Sequence, residues 1–156
     1  MISCLLLACS KRKRPAVGCV PALELYDGGA YRVVRKLRRE QGLPANLHIL
    51  ILSARYGLLR AEDLIENYDQ LMDAVRAEEM SASVSARLDA LLVSIAPTHL
   101  FVDLGQTYRL AIAASGEYRR LLQTGAVDAA EGPPGVRQGQ LRNWLLARVD
   151  QHAGST

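Results

Sequence analysis

The sequence lacks most of the features that would announce a function. Its three cysteines, Cys4, Cys9 and Cys19, are odd in number and show no CxxC spacing, which argues against a disulfide framework and against a structural zinc site. Its three histidines, His48, His99 and His152, are scattered, with no pair at the helical spacing of metal ligands. No metal and no other cofactor is therefore expected. Aromatic residues make up only 5%, so Ala, Leu, Val and Ile must fill the interior. The longest apolar run near the start, residues 2–8, is interrupted by Ser3 and is too short to span a bilayer. The basic residues 11–14 follow that run instead of preceding it, the reverse of a secretory signal. These absences read as a cytoplasmic protein with no membrane partner. The P-loop pattern GxxxxGKS/T is absent, as are internal repeats and low-complexity segments.

What is present suits one compact unit. A length of 156 residues, 49% of them hydrophobic, is enough for one substantial core. The expectation is a single domain over residues 1–152 with a frayed tail at 153–156. The net charge of +3 is small, but its distribution is uneven. Lys11, Arg12, Lys13 and Arg14 are consecutive, and Arg32, Arg35, Lys36, Arg38 and Arg39 follow soon after. Two such segments make either one electropositive face or a solvated loop and a solvated helix face.

Residues 2–8, 47–52 and 100–104 read as short strands apolar on both faces. Helices are expected at 29–41, at 81–95 with Ser81 or Ser83 as cap, from about Thr107, and at 138–151. Residues 60–64 read as a short helical turn, 67–70 as a turn, and the Gly- and Pro-rich stretch 125–135 as a surface loop. The alternation of strands and helices implies an α/β fold, a three-layer sandwich with a mainly parallel central sheet and helices on both faces. In such sheets ligands bind beyond the carboxyl ends of the strands. The three strand exits are also the segments richest in chemistry.

At the first exit, Cys9-Ser10-Lys11-Arg12-Lys13 sets a hydroxyl among cations, which suits a phosphate. Cys9 is either a small residue at a crowded turn or, if Lys11 or Lys13 lowered its pKa, a nucleophile; no His-bearing motif accompanies it. At the second, residues 53–59, Gly57 suggests a backbone conformation that side chains resist. Arg55 suits a phosphate and Tyr56 suits stacking on a ring, against the plainer reading of a surface turn. Acids follow: Glu62, Asp63, Glu66, Asp69 and Asp73. Most acid runs are solvated faces, but a partly buried carboxylate beside a cation acts as a general base or steadies a cationic transition state. Asp69 ranks first because it follows Tyr68 in a turn. At the third exit, Gly105 allows close approach, Gln106 can read a base edge, Thr107 can cap the next helix, and Asp103 is either buried and paired or faces the site.

Together these segments resemble the YaaA superfamily, the peroxide-stress proteins and their short relatives. The resemblance rests on Ala8-Cys9-Ser10-Lys11-Arg12-Lys13, on Leu52-Ser53-Ala54-Arg55-Tyr56-Gly57-Leu58-Leu59, on Asp63 with Ile65 and Tyr68-Asp69, on Leu104 to Tyr108, and on Gly135 to Trp144. The chain is shorter than the peroxide-stress proteins and lacks room for their additional DNA-binding elements. The resemblance implies a nucleic-acid or nucleobase role; similar domains occur with tRNA-guanine transglycosylase-type enzymes. The strand-exit layout is also loosely similar to the uracil-DNA glycosylase superfamily, in which a loop carboxylate assists water at a sugar carbon as the base leaves.

The functional expectation is a DNA glycosylase-like N-glycosidase that flips and excises a damaged or modified base, in repair or in defence against phages with modified DNA. Asp69, with Asp63 as the alternative, would be catalytic. Ser10, Lys11, Arg12, Lys13 and Arg55 would hold phosphates of DNA or another nucleic acid. Cys9, Ser53, Tyr56, Gly57, Gln106 and Tyr108 would line the base pocket. The alternatives are a non-catalytic DNA-binding protein of the stress-response type and an enzyme acting on free nucleosides or nucleotides.

Overall fold

The computed structural model describes residues 1–153. Strand β1, Ser3–Ala8, is at the centre of a five-stranded sheet. On one side it pairs in parallel with β3, Leu47–Ser53, so that Leu5 faces Ile49. On the other it pairs in parallel with β6, His99–Asp103, so that Leu5 also faces Phe101. A parallel edge strand β7, Val127–Ala129, lies beyond β6, and an antiparallel one, β4, Gly57–Arg60, lies beyond β3. The order is β4-β3-β1-β6-β7. The protein is thus α/β, with a mainly parallel mixed sheet.

Both faces of β1 are dry, which is why it reads as an unbroken apolar run and not as an alternation. Leu5 and Leu7, with Ile49, Ile51 and Phe101, belong to one apolar cluster. Into it pack Tyr31, Val34 and Leu37 of α2, Gly29–Glu40, and Leu141, Trp144 and Leu145 of α6, Pro134–Ala153. Cys4 and Leu6, with Leu50, Leu52, Leu100 and Val102, belong to the other. There they meet Val84, Leu88 and Leu92 of α3, Ala74–Ile95, with residues of α4, Gln106–Ile112, and α5, Gly116–Gln123. A short helix α1, Ala22–Leu25, and a two-stranded ribbon of β2, Val20–Pro21, with β5, Leu64–Ile65, complete the chain. Among the described residues no helix is long and apolar enough to cross a membrane.

Several elements differ from expectation. Residues 53–59 are not a simple exit loop. The chain turns and runs back as β4, with Ser53 opposite Gly57. Gly57 sits at φ +78°, the left-handed region that side chains resist. Residues 60–64 form no helical turn: the Asp63 carboxylate accepts the Arg60 N–H at 2.9 Å and reverses the chain into β5. Helix α3 starts at Ala74, ahead of both Ser81 and Ser83, because Asp73 caps it by accepting the Arg76 N–H at 2.8 Å. Thr107 caps nothing: Gly105 is the N-cap of α4, without a side-chain hydrogen bond. The Gly- and Pro-rich stretch contains β7, and Pro134 opens α6, since a helix's first residue needs no N–H partner. Helix α6 runs to Ala153; the rest of the expected tail, 154–156, lies outside the described residues.

The cap assignment is testable. Asp73→Ala is expected to cost about 1 kcal/mol, read as a fall in Tm of roughly 2–4 °C, whereas Ser81→Ala leaves Tm unchanged.

Candidate active site

The chain leaves β1 at Ala8 and turns across the top of the sheet. The Cys9 N–H donates to the Leu52 carbonyl at 2.9 Å, and Ser10 Oγ donates to the Arg12 carbonyl at 2.6 Å. The same Ser10 oxygen accepts the Gly28 N–H at 3.2 Å. Only glycine fits at 28, because a Cβ there would lie 2.9 Å from Ser10 Cβ. The basic loop is then stitched to the segment before α2: Arg14 N–H to the Leu25 carbonyl at 2.7 Å, and Asp27 N–H to the Arg12 carbonyl at 2.9 Å. Lys13 bridges Tyr26 between them.

A chain of hydroxyls joins this loop to the end of β3. Ser53 Oγ accepts the N–H groups of Arg55 (3.2 Å) and Tyr56 (3.0 Å). Both its lone pairs are then used, so its proton goes to the Tyr68 hydroxyl 2.9 Å away. Tyr68 in turn meets the Tyr26 hydroxyl at 2.7 Å. Burial pushes the Tyr26 phenol up to about 12 and the Tyr68 phenol well above its ordinary value. Both stay neutral and hydrogen-bonded at any physiological pH. Lys13 Nζ lies 4.5 Å over the Tyr68 ring, and Tyr56 packs edge-on against the same ring.

Tyr68 thereby sets down its neighbour Asp69, exposed and not partly buried as expected, at the rim of a cleft of about 270 Å³ beyond the strand ends. Cys9, Lys11, Lys13 and Tyr108 line the cleft with Asp69, and Met72 closes its floor. Cys9 Sγ and the Tyr108 hydroxyl are 3.2 Å apart, and burial raises the Tyr108 phenol well above its ordinary value. A second, open cavity of about 240 Å³ shares Ser10 and Tyr108 with the first and is walled by Gly28, Asp103 and Arg137. Beyond Gly28 and Gly29 an open groove holds Arg12, Asp27, Arg32 and Lys36.

The structure therefore brings Cys9, Ser10, Lys11, Lys13, Asp69 and Tyr108 together and puts the other candidates elsewhere. Asp63 closes the β4–β5 turn. Ser53 is wholly buried in the hydroxyl chain. Tyr56 sits behind Tyr68, its hydroxyl donating to the Glu66 carbonyl at 3.2 Å. Arg55 lies 5.5 Å from the Tyr56 ring, outside the cleft lining. Gly57 faces Val84 of α3, and Gln106 is exposed at the start of α4. Arg12 lines the outer groove, 3.9 Å from Asp27.

Asp27 is the residue that sequence reasoning missed. It holds Arg35 at 2.6 Å and Arg32 at 3.1 Å as well as Arg12. Arg35 is buried inside α2, where it also donates to the Leu23 and Tyr26 carbonyls. The available signal was an arginine at an inward helical position, one turn after Tyr31, with a carboxylate before the Gly28-Gly29 pair. The pairing continues outward: Arg14 and Arg38 share Glu24, and Lys36 meets Glu40. Three carboxylates, Asp27, Glu24 and Glu40, thus pair with six of these cations and offset part of the positive charge. Among the described residues Lys11, Lys13 and Arg55 have no carboxylate within ion-pair distance. Among the same residues no group of three or more His, Cys, Asp or Glu side chains is placed to hold a metal ion.

A protein-family match runs over residues 4–146, from β1 into α6. The chain belongs to DUF6884, a family of unknown function. No curated protein matches it. Every residue lining the DUF6884 cleft, and the Asp103–Arg137 pair beside it, falls within the matched span.

The Asp27 cluster makes stability depend on acid. Its hydrogen bond from Arg32, aided by the charges of Arg35 and Arg12, holds the Asp27 carboxyl below its ordinary 3.8. The Ser115 hydroxyl and the Glu117 N–H do the same for Asp89. A depressed folded-state value means that the stabilisation is complete above the unfolded-state value and is lost as pH falls through the folded one. Thermal melting should therefore be flat from about pH 5 to 7 and fall below about pH 4. Asp27→Asn should melt lower at pH 7 and show a shallower acid slope; an unchanged slope would contradict the role given to Asp27.

Proposed function

We propose that this DUF6884 protein is an N-glycosidase that releases a damaged or modified base from a nucleotide unit. The observation that carries this reading is the convergence on one cleft of a carboxylate, two cations and a neutral tyrosine: Asp69, Lys11, Lys13 and Tyr108. In the proposed reaction Asp69 orients a water at the sugar C1′ and accepts its proton as the C1′–N bond breaks. The same charge steadies the oxocarbenium-like sugar. Tyr108, kept protonated by burial, donates a hydrogen bond to the base, which departs with the bonding electrons. Lys11 and Lys13 hold a neighbouring phosphate.

The substrate of this reaction has two forms. The DNA-glycosylase form, in repair or in defence against modified phage DNA, is supported by the unpaired cations Lys11, Lys13 and Arg55 and by the resemblance to the YaaA and uracil-DNA glycosylase superfamilies. The free-nucleotide form is favoured by the pairing of Arg12, Arg14, Arg32 and Arg38 with Asp27 and Glu24, which offsets part of the positive charge a duplex would use. On this reading the protein is cytoplasmic, and its two apolar clusters belong to a three-layer sandwich.

The test is incubation with genomic DNAs of different base modification and with the corresponding free nucleotides, followed by mass spectrometry of released bases. A base should be released from at least one substrate, and Asp69→Asn should slow release by roughly a hundredfold or more. No free base from any substrate would overturn the reading. If DNA is the substrate, its binding should weaken steeply as salt rises; a nucleotide pocket should be nearly indifferent to salt.

A further inference from the structure

The second cavity carries a separate argument. Asp103 ends β6, two residues beyond Phe101 on the same side of the strand. Its side chain is 14% exposed. Arg137, near the start of α6, donates to its Oδ1 through Nε at 3.1 Å, and Nη2 lies 2.8 Å from the same oxygen as an ion pair. Among the described residues no group donates to Oδ2. The second oxygen of a mostly buried carboxylate is thus accessible and without a protein donor, at the wall of a cavity that lies beyond the carboxyl ends of the strands.

Charge narrows what the cavity can hold. Asp103 repels an anion and Arg137 repels a cation, so the occupant at this point is neutral. Oδ2 offers an acceptor and the remaining Arg137 N–H groups offer donors, the complement of hydroxyls, which both give and take a hydrogen bond. The pair would serve two neighbouring hydroxyls at once. The cavity also shares Ser10 and Tyr108 with the Asp69 cleft, so a group bound here is directly beside one bound there, as sugar is to base. On its far side the groove of Arg12, Asp27, Arg32 and Lys36, three cations to one carboxylate, continues from Gly28 and Gly29, so a sugar's 5′-phosphate has cations on this side as well as at Lys11 and Lys13.

We propose that the Asp103–Arg137 cavity is a sugar subsite that binds the 2′,3′ hydroxyl pair of a ribosyl group, so that the substrate of the Asp69 cleft is a ribonucleoside or its phosphate. An internal nucleotide of DNA has neither hydroxyl free. The assignment of the occupant to the cleft's own substrate rests on the N-glycosidase reading above.

The probes are D-ribose 5-phosphate and 2-deoxy-D-ribose 5-phosphate, which need no knowledge of the base. Each is titrated into the isotope-labelled full chain while backbone amide signals are followed. Ribose 5-phosphate should shift the amides of Gly28 and Gly105 and bind about tenfold more tightly than the deoxy sugar, the worth of one charge-assisted hydrogen bond. Asp103→Asn should abolish that preference. Equal binding of the two sugars by the wild-type chain, shifts confined to other regions, or no binding of either would overturn the proposal without recourse to any variant. Catalysis plays no part in this titration, so the two readings fail separately. Sugar binding without base release on any substrate removes the glycosidase and keeps the subsite. Base release from DNA at an undiminished rate in Asp103→Asn removes the subsite and keeps the glycosidase.

Discussion

The hydroxyl chain Ser53–Tyr68–Tyr26 is the constraint on which the site depends. Residues 66–73 have no helix or strand to hold them, yet they carry the carboxylate of the cleft. Their hold on the protein is largely the Tyr68 side chain, whose ring packs between Tyr26 and Tyr56 and whose hydroxyl closes two buried hydrogen bonds. Met72, buried against the other core, fixes the far end. Because a buried hydroxyl without partners costs about 1–3 kcal/mol, the three hydroxyls stabilise one another's positions, and the loop has one low-energy place to lie. The order follows from chain geometry. Ser53 is the last residue of a central strand, and a strand end has backbone groups left to satisfy. The serine does this for Arg55 and Tyr56 and still has a proton to give.

A second constraint sets the opposite wall. Gly28 must pass close to Ser10, and Asp27 must hold three arginines, for α2 to begin where it does. That arrangement offsets part of the positive charge of three arginines and fixes where they lie. The result is a small lined cleft with local cations beside a basic face that is partly paired. The distinction bears directly on which kind of substrate the site suits.

How much of this was legible beforehand differs by element. The central strands β1, β3 and β6 could be read to within a residue or two because strands buried on both faces leave uninterrupted apolar runs. Once they are parallel, the strand-end rule brings Cys9, Lys13 and Tyr108 near one another without further information. The edge strands β4 and β7 were hidden. Each is four residues or fewer, and one lies in a Gly- and Pro-rich stretch. Missing β4 misread the Ser53–Gly57 turn, so Ser53, Tyr56 and Gly57 were expected in the pocket when they instead support it from behind. The partners of Asp103 and Tyr68 were illegible for another reason. Asp103 acts through Arg137, 34 positions away, and Tyr68 through Tyr26, 42 positions away, and no local pattern reports such pairs.

The most direct test of this account is amide hydrogen exchange in wild type and Tyr68→Phe, a change that removes one hydroxyl and keeps the ring. If the hydroxyl chain holds the site, exchange should speed by about tenfold, the worth of one hydrogen bond, at the amides bonded around it, those of Arg55 and Tyr56 on Ser53 and of Arg14 and Asp27 across the basic loop, while β1, β3 and β6 remain protected. Unchanged exchange at these amides, or a uniform loss of protection across the sheet, would contradict it.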